Sequence, residues 1–147
     1  MSCERMADIL MVEDNPNDAE LTIRALRKNH LANPVFIAQD GQEALDFLFH
    51  QGVYAKNESS GLPKVILLDL KLPKISGLEV LKIIKENEQT KAIPVVVLTS
   101  SREDPDVTSA YALGANSYVV KPVEFDQFVH TLSSLGFYWL LLNESPK

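Results

Sequence analysis

Apolar side chains gather in five short runs, at residues 9–12, 35–38, 65–68, 94–98 and 117–120, with longer mixed stretches between them. The first, third and fourth runs are almost continuously apolar. That is the pattern of strands covered on both faces, and it favours a parallel sheet. The stretches between them place apolar residues at helical spacing. Asn17 and Asp18 precede Leu21, Ile23 and Leu26, with Asp18 and Glu20 in a predicted first turn, where the helix dipole favours acids. Asp40 and Gly41 open a second helix carrying Ala44, Leu45, Leu48 and Phe49, and Ser76 and Gly77 open a third with Leu78, Leu81, Ile83 and Ile84. A fourth, weaker helix over 103–113 stops at Gly114, a residue suited to ending a helix. A fifth starts at Glu124 and carries Phe125, Phe128, Val129, Leu132 and Leu135.

The order is strand then helix, five times over. Such alternation predicts an α/β fold, one parallel sheet between layers of helices joined by right-handed crossovers. Open sheets of this kind bind ligands beyond the C-terminal ends of their strands. The connection 51–64 is long and polar for its place, with Asn57, Ser59, Ser60, Gly61 and Pro63.

Composition narrows the picture a little. With 147 residues, 46% apolar and 23% charged, the chain reads as one globular domain over 1–147. Its net charge of −6 is spread along the sequence, without the clustered Lys and Arg that a nucleic-acid backbone requires, so no nucleic-acid partner is expected. Cys3 is the only cysteine, which excludes an internal disulfide. The longest apolar run, 137–142, is far shorter than the ~20 residues of a membrane span. The first eight residues carry no apolar targeting region either. A cytoplasmic chain with no membrane partner is the expectation.

The residues just past each run carry the chemistry. Glu13 and Asp14 follow the first, Asp69 the third, Thr99 the fourth and Lys121 the fifth. Taken singly, Asp69 could merely open a turn, Thr99 cap a helix and Lys121 sit in solvent before Pro122. At one sheet edge they form a site. Three carboxylates there repel one another and call for a cation; oxygen-only donors suit Mg²⁺, with Mn²⁺ as a substitute. A carboxylate beside such an ion can attack phosphorus and form an aspartyl phosphate, with Lys121 and Thr99 meeting the phosphoryl oxygens. No Gly-rich loop follows the first run, which argues against nucleotide binding.

The set Glu13-Asp14, Asp69, Thr99 and Lys121-Pro122 resembles the receiver domain of two-component response regulators, and the intervals match: 30 residues from Asp69 to Thr99 and 22 from Thr99 to Lys121. The resemblance covers nearly the whole chain. It implies a flavodoxin-like, doubly wound (βα)5 sheet with strand order 2-1-3-4-5. It implies Asp69 as phosphoacceptor; Glu13, Asp14, Asp69 and the main-chain carbonyl of Lys71 as metal ligands; and Thr99 and Lys121 as the phosphoryl-binding pair. Thr99 and Tyr118 would be the switch residues, and the Lys121–Pro122 peptide would be cis. Lys71 and Ser101 occupy flanking positions. The partner implied is a histidine kinase, and the product a phosphorylated switch protein in a phosphorelay, with no output domain and no steady enzymatic turnover. The alternatives are a Mg²⁺-dependent phosphatase with an aspartyl nucleophile, or a receiver-like domain that acts without phosphorylation. Lys71 stands where many such phosphatases place a general acid, which counts against the first.

A narrower likeness rests on the long 51–64 connection, Leu70 to Pro73 and the aromatic tail. It resembles the single-domain regulators that partner bacterial phytochromes, so the implied kinase is a phytochrome. The tail 135–147 opens with a segment, 135–142, that is apolar on all sides, with Phe137, Tyr138 and Trp139 at its centre. A helix end of that kind needs a cover. It predicts a homodimer through the fifth helix and tail, alongside a downstream protein partner.

Overall fold

The computed structural model describes residues 8–28, 33–55, 61–100, 103–134 and 136. Ser101 and the tail residues Phe137, Tyr138 and Trp139 lie outside the described residues, as does the middle of the 51–64 connection. The elements run β1 (Ile9–Val12), α1 (Pro16–Lys28), β2 (Val35–Ala38), α2 (Gly41–Leu48), β3 (Val65–Asp69), α3 (Gly77–Glu86), β4 (Val95–Thr99), α4 (Pro105–Ala112), β5 (Ser117–Val120) and α5 (Phe125–Ser134). All strand pairs are parallel and their order is β2-β1-β3-β4-β5, as the resemblance implies.

The two-residue period of the strands divides the core in two. Leu10, Val12, Ile66, Leu68, Val95 and Val97 point to one face, where α2, α3 and α4 cover them with Leu45, Leu48, Val80, Leu81, Ile84 and Val107. Ile9, Met11, Val65, Leu67, Val96, Leu98 and Val119 point to the other face, under Ala19 and Leu26 of α1 and Phe128 and Leu132 of α5. Both faces of the three central strands are fully buried, which is why their sequences lack alternation. Each large side chain buried there contributes roughly 1.5–3 kcal/mol.

Helix starts follow local capping more closely than the apolar stripe shows. The Asn15 side chain accepts from the N–H groups of Asn17 (2.8 Å) and Asp18 (3.2 Å), and Pro16, which has no N–H to satisfy, takes the first helical position. So α1 begins before Asn17, not after it, and Asp18 sits inside its first turn. Asp104 caps α4, which therefore begins at Pro105, two residues later than the sequence pattern indicates. It gives way at Gly114, in the left-handed region at φ 110°. Asp40 caps α2, and a reciprocal Ser76–Glu79 capping box starts α3.

Gly77, the first residue of α3, has a further duty. A Cβ there would run into the carbonyl oxygen of Asp69 and come within 2.6 Å of Leu70 Cα, while the Gly77 N–H donates to Leu70 O at 3.2 Å. The end of β3 is thus held against α3 through a contact that only glycine permits. Gly77→Ala is expected to cost about 1–3 kcal/mol by overpacking against rigid backbone. It should lower the denaturant midpoint with an unchanged slope; an unchanged midpoint would mean that this backbone yields freely.

Candidate functional site

Strand register explains why the predicted residues converge. Val12 pairs with Leu68, Asp69 with Leu98 and Thr99 with Val120, so Glu13, Asp69, Thr99 and Lys121 reach the same edge. Side-chain parity then separates them. Glu13, Asp69 and Lys121 continue the rows of Met11, Leu67 and Val119, on the α1–α5 face. Thr99 continues the row of Val97 on the opposite face, and Tyr118 packs against that same face.

On the α1–α5 side Lys121 is the hub. Its Nζ donates to Asp69 Oδ2 at 3.0 Å, Asp18 Oδ2 at 3.1 Å and Glu13 Oε1 at 3.2 Å. The second oxygen of Asp69 accepts from the Lys71 N–H at 2.9 Å, and that of Glu13 from the Asn15 N–H at 3.2 Å. Each buried carboxylate is therefore aimed by one main-chain and one lysine donor. Glu13, Asp69 and Thr99 are 2%, 4% and 3% exposed, whereas Asp14 is open to solvent. Asp69 is buried without being sealed off. It forms part of a cleft of about 220 Å³ lined also by Glu13, Asp14, Asp18, Lys71, Thr99 and Lys121.

Burial of the Glu13 carboxyl, with its hydrogen bond to Asp69 and that neighbour's charge, pushes its pKa up to about 7. For Lys121, burial alone would lower the pKa, but the hydrogen bond and charge of Asp69, then Asp18 and Glu13, more than reverse this and hold the ammonium above its usual range. The acidic group is thus partly neutralised from within.

The donor set fits a small hard cation. Glu13, Asp14 and Asp69 each offer a carboxylate oxygen, and these oxygens all lie within 4.8 Å of one another. Lys71, whose carbonyl the resemblance adds, lines the same cleft. Tyr118 does not reach it. Its half-buried ring stands edge-on to Tyr111 of α4, with centroids 6.3 Å apart. The peptide between Lys121 and Pro122 is cis. Asp18 is the site residue that the sequence reading missed, having assigned it only to the helix dipole. The signal was present: with α1 started at Pro16, Asp18 falls in the turn that packs over the sheet edge carrying Lys121.

Residues 9–133 match the response regulator receiver domain family. The bacteriophytochrome response regulator AtBRR is 54% identical, with a TM-score of 0.85 over 95% of this chain and 99% of that one. A probable methanogenesis regulatory protein, FilR2 of Methanothrix harundinacea, is 43% identical over 94% of this chain and 86% of its own length. The response regulator Rcp1 of Synechocystis sp. is 40% identical over 90% of this chain and 88% of its own. The Mn²⁺-bound form of Rcp1 superposes with a TM-score of 0.72 at 38% identity, covering 95% and 98% of the two chains. Among the described residues, no helix is long and apolar enough to cross a membrane.

Proposed function

The chain belongs to the receiver-domain family of response regulators, and from that premise we propose that it takes a phosphoryl group from a histidine kinase onto Asp69 and signals through altered protein contacts. The observation that carries this reading is the Asp69 carboxylate itself: buried against Lys121, in a cleft where the Glu13 and Asp14 carboxylates group with it. Attack by an Asp69 oxygen forms an O–P bond as the P–N bond of the donor phosphohistidine breaks, and the imidazole nitrogen leaves with the electron pair. The Lys71 N–H holds the carboxylate in its orientation during attack. Lys121 follows the charge onto the phosphoryl oxygens, and the Thr99 hydroxyl, from the other face, donates to another of them. Glu13, Asp14 and Asp69 would hold Mg²⁺, or Mn²⁺ as in the Rcp1 relative; the ion supplies charge neutralisation for the incoming group.

The likeness to phytochrome regulators supports a phytochrome-type kinase as the donor. A cation at Lys71, where a phosphatase would want an acid, supports a switch without steady turnover. Thr99 and Tyr118 share the sheet face under α4, which supports an altered α4–β5 surface as the readout. The apolar residues Phe137, Tyr138 and Trp139 support self-association as part of the signalling unit, and a kinase-coupled switch of this kind works in the cytoplasm. Incubation with a small phosphodonor and Mg²⁺, followed by intact mass and sedimentation on one sample, tests the reading. Gain of one phosphoryl group on Asp69 is expected; no gain of mass, or a gain that maps to another residue, would end it.

The raised pKa of Glu13 gives a pH test of the metal site. Below about pH 7 the carboxyl holds a proton that a divalent ion must displace, so Mg²⁺ affinity should rise with pH and level off above that value. Calorimetric titration between about pH 6 and 8 should show a change of up to about tenfold per unit on the acid side. A flat profile would remove Glu13 from the ligands. The linkage to folding has the opposite sign. Glu13 adds stability to the metal-free domain below its ordinary value of 4.5, and that increment is lost as pH rises through about 7.

A further inference from the structure

One ion pair spans the cleft without belonging to the acidic centre. Lys71 Nζ lies 3.8 Å from Asp104 Oδ2, with the lysine side chain 69% exposed and the aspartate side chain 9% exposed. The other Asp104 oxygen accepts from the Asp106 N–H at 2.9 Å and caps α4. The two residues come from different walls, Lys71 from the end of β3 and Asp104 from the start of α4, and both line the cleft that holds Asp69, Thr99 and Lys121. Asp104 is therefore a further carboxylate lining the cleft, and it is tied at once to an exposed cation and to a helix terminus.

We propose that Lys71 and Asp104 form an electrostatic gate on the cleft: Asp104 retains Lys71 while the cleft is empty and gives it up to an entering anionic phosphodonor. The proposal rests on the reading of Asp69 as phosphoacceptor. The pair is long and its lysine is exposed, so it is weak and readily exchanged. A phosphoryl group carries more charge than a carboxylate and draws the ammonium more strongly. Asp104 acts in two ways on the same coordinate, since its charge opposes an anion and its grip withholds the cation that would receive one. Because one oxygen caps α4 while the other holds Lys71, release of the lysine also changes the charge balance at that helix start. Asp104 is a positioning residue here; it touches Lys71, not the reacting atoms.

Asp104→Asn separates the two duties, since Asn caps a helix as well as Asp but carries no charge. The experiment is uptake from acetyl phosphate with Mg²⁺, in which an Asp69 oxygen bonds to phosphorus and acetate leaves with the electrons of its P–O bond. Rates are measured against donor concentration for the unsubstituted chain, Asp104→Asn, Lys71→Gln and the double variant. Asp104→Asn is expected to lower the half-saturating concentration by about threefold to fivefold with the limiting rate unchanged. Lys71→Gln is expected to raise it, and the two effects should be non-additive and fade at high salt. Helical content and denaturant midpoint of Asp104→Asn should match the parent. Uptake with equal half-saturation in all four chains, or strictly additive effects, overturns the gate alone. No uptake by the unsubstituted chain overturns the phosphoacceptor reading and the gate with it.

Discussion

Asp69→Asn is expected to reduce phosphoryl uptake to background while leaving the domain folded. The amide oxygen can still accept from the Lys71 N–H, which holds Asp69 Oδ1 at 2.9 Å, so the turn after β3 keeps its anchor. What disappears is the anionic oxygen beside Lys121, the only feature of the side chain that can attack phosphorus. Glu13 and Asp18 remain bonded to Lys121 and cannot replace it as acceptors. Neither is held by the Lys71 N–H that aims the acceptor carboxylate: Glu13 follows β1 and Asp18 lies in α1. Removal of one charge from a crowded acidic group relieves repulsion, so stability should be equal to the parent or up to about 1 kcal/mol above it. Mg²⁺ affinity should fall, because one of the three clustered carboxylates is gone. Intact mass after phosphodonor treatment checks the first claim and thermal unfolding the second. Full labelling of the variant would place the acceptor elsewhere.

The strands were legible because their burial is complete. Runs such as Val65 to Leu68 and Val95 to Leu98 can hardly be anything but central strands of a covered sheet, and once they are ordered, the residues after them must share an edge. Helix starts were less legible, since they depend on individual side chains. The apolar stripe of α1 is visible from Leu21 onward, but its start is decided by Asn15 and Pro16. Asp18 was rightly placed in the first turn but read only as a dipole partner, whereas it also accepts a hydrogen bond from Lys121. The Lys71–Asp104 pair was invisible for a related reason: it joins two loop positions whose separation is set only by how α4 sits on the sheet. The charge balance was legible only in part: three carboxylates at one edge call for a cation, and the structure adds that Lys121 already neutralises part of the group and that Glu13 can hold a proton.

That internal neutralisation leads to the less intuitive consequence of Lys121→Ala: Mg²⁺ affinity should rise, not fall. Lys121 lies 3.0 and 3.2 Å from Asp69 and Glu13, two of the three carboxylates with the closely grouped oxygens, so a divalent ion competes with the ammonium for the same charge. Repulsion between a divalent and a monovalent cation about 5 Å apart, at water-like screening, is about 1–2 kcal/mol, or about tenfold in affinity. The metal-free variant should be destabilised, because Glu13, Asp18 and Asp69 lose their common donor. The cost stays below the ~3–5 kcal/mol of a fully buried broken pair, since Asp18 is partly solvated and Glu13 can take up a proton. Added Mg²⁺ should recover more stability in the variant than in the parent, by the mass action of its tighter binding. Uptake onto Asp69 should persist at a reduced rate, while any change in association that follows phosphorylation is lost with the ammonium that meets the phosphoryl oxygens. Calorimetric titration and unfolding with and without Mg²⁺ decide the matter: weaker binding in Lys121→Ala would show that the lysine builds the metal site and does not compete with it.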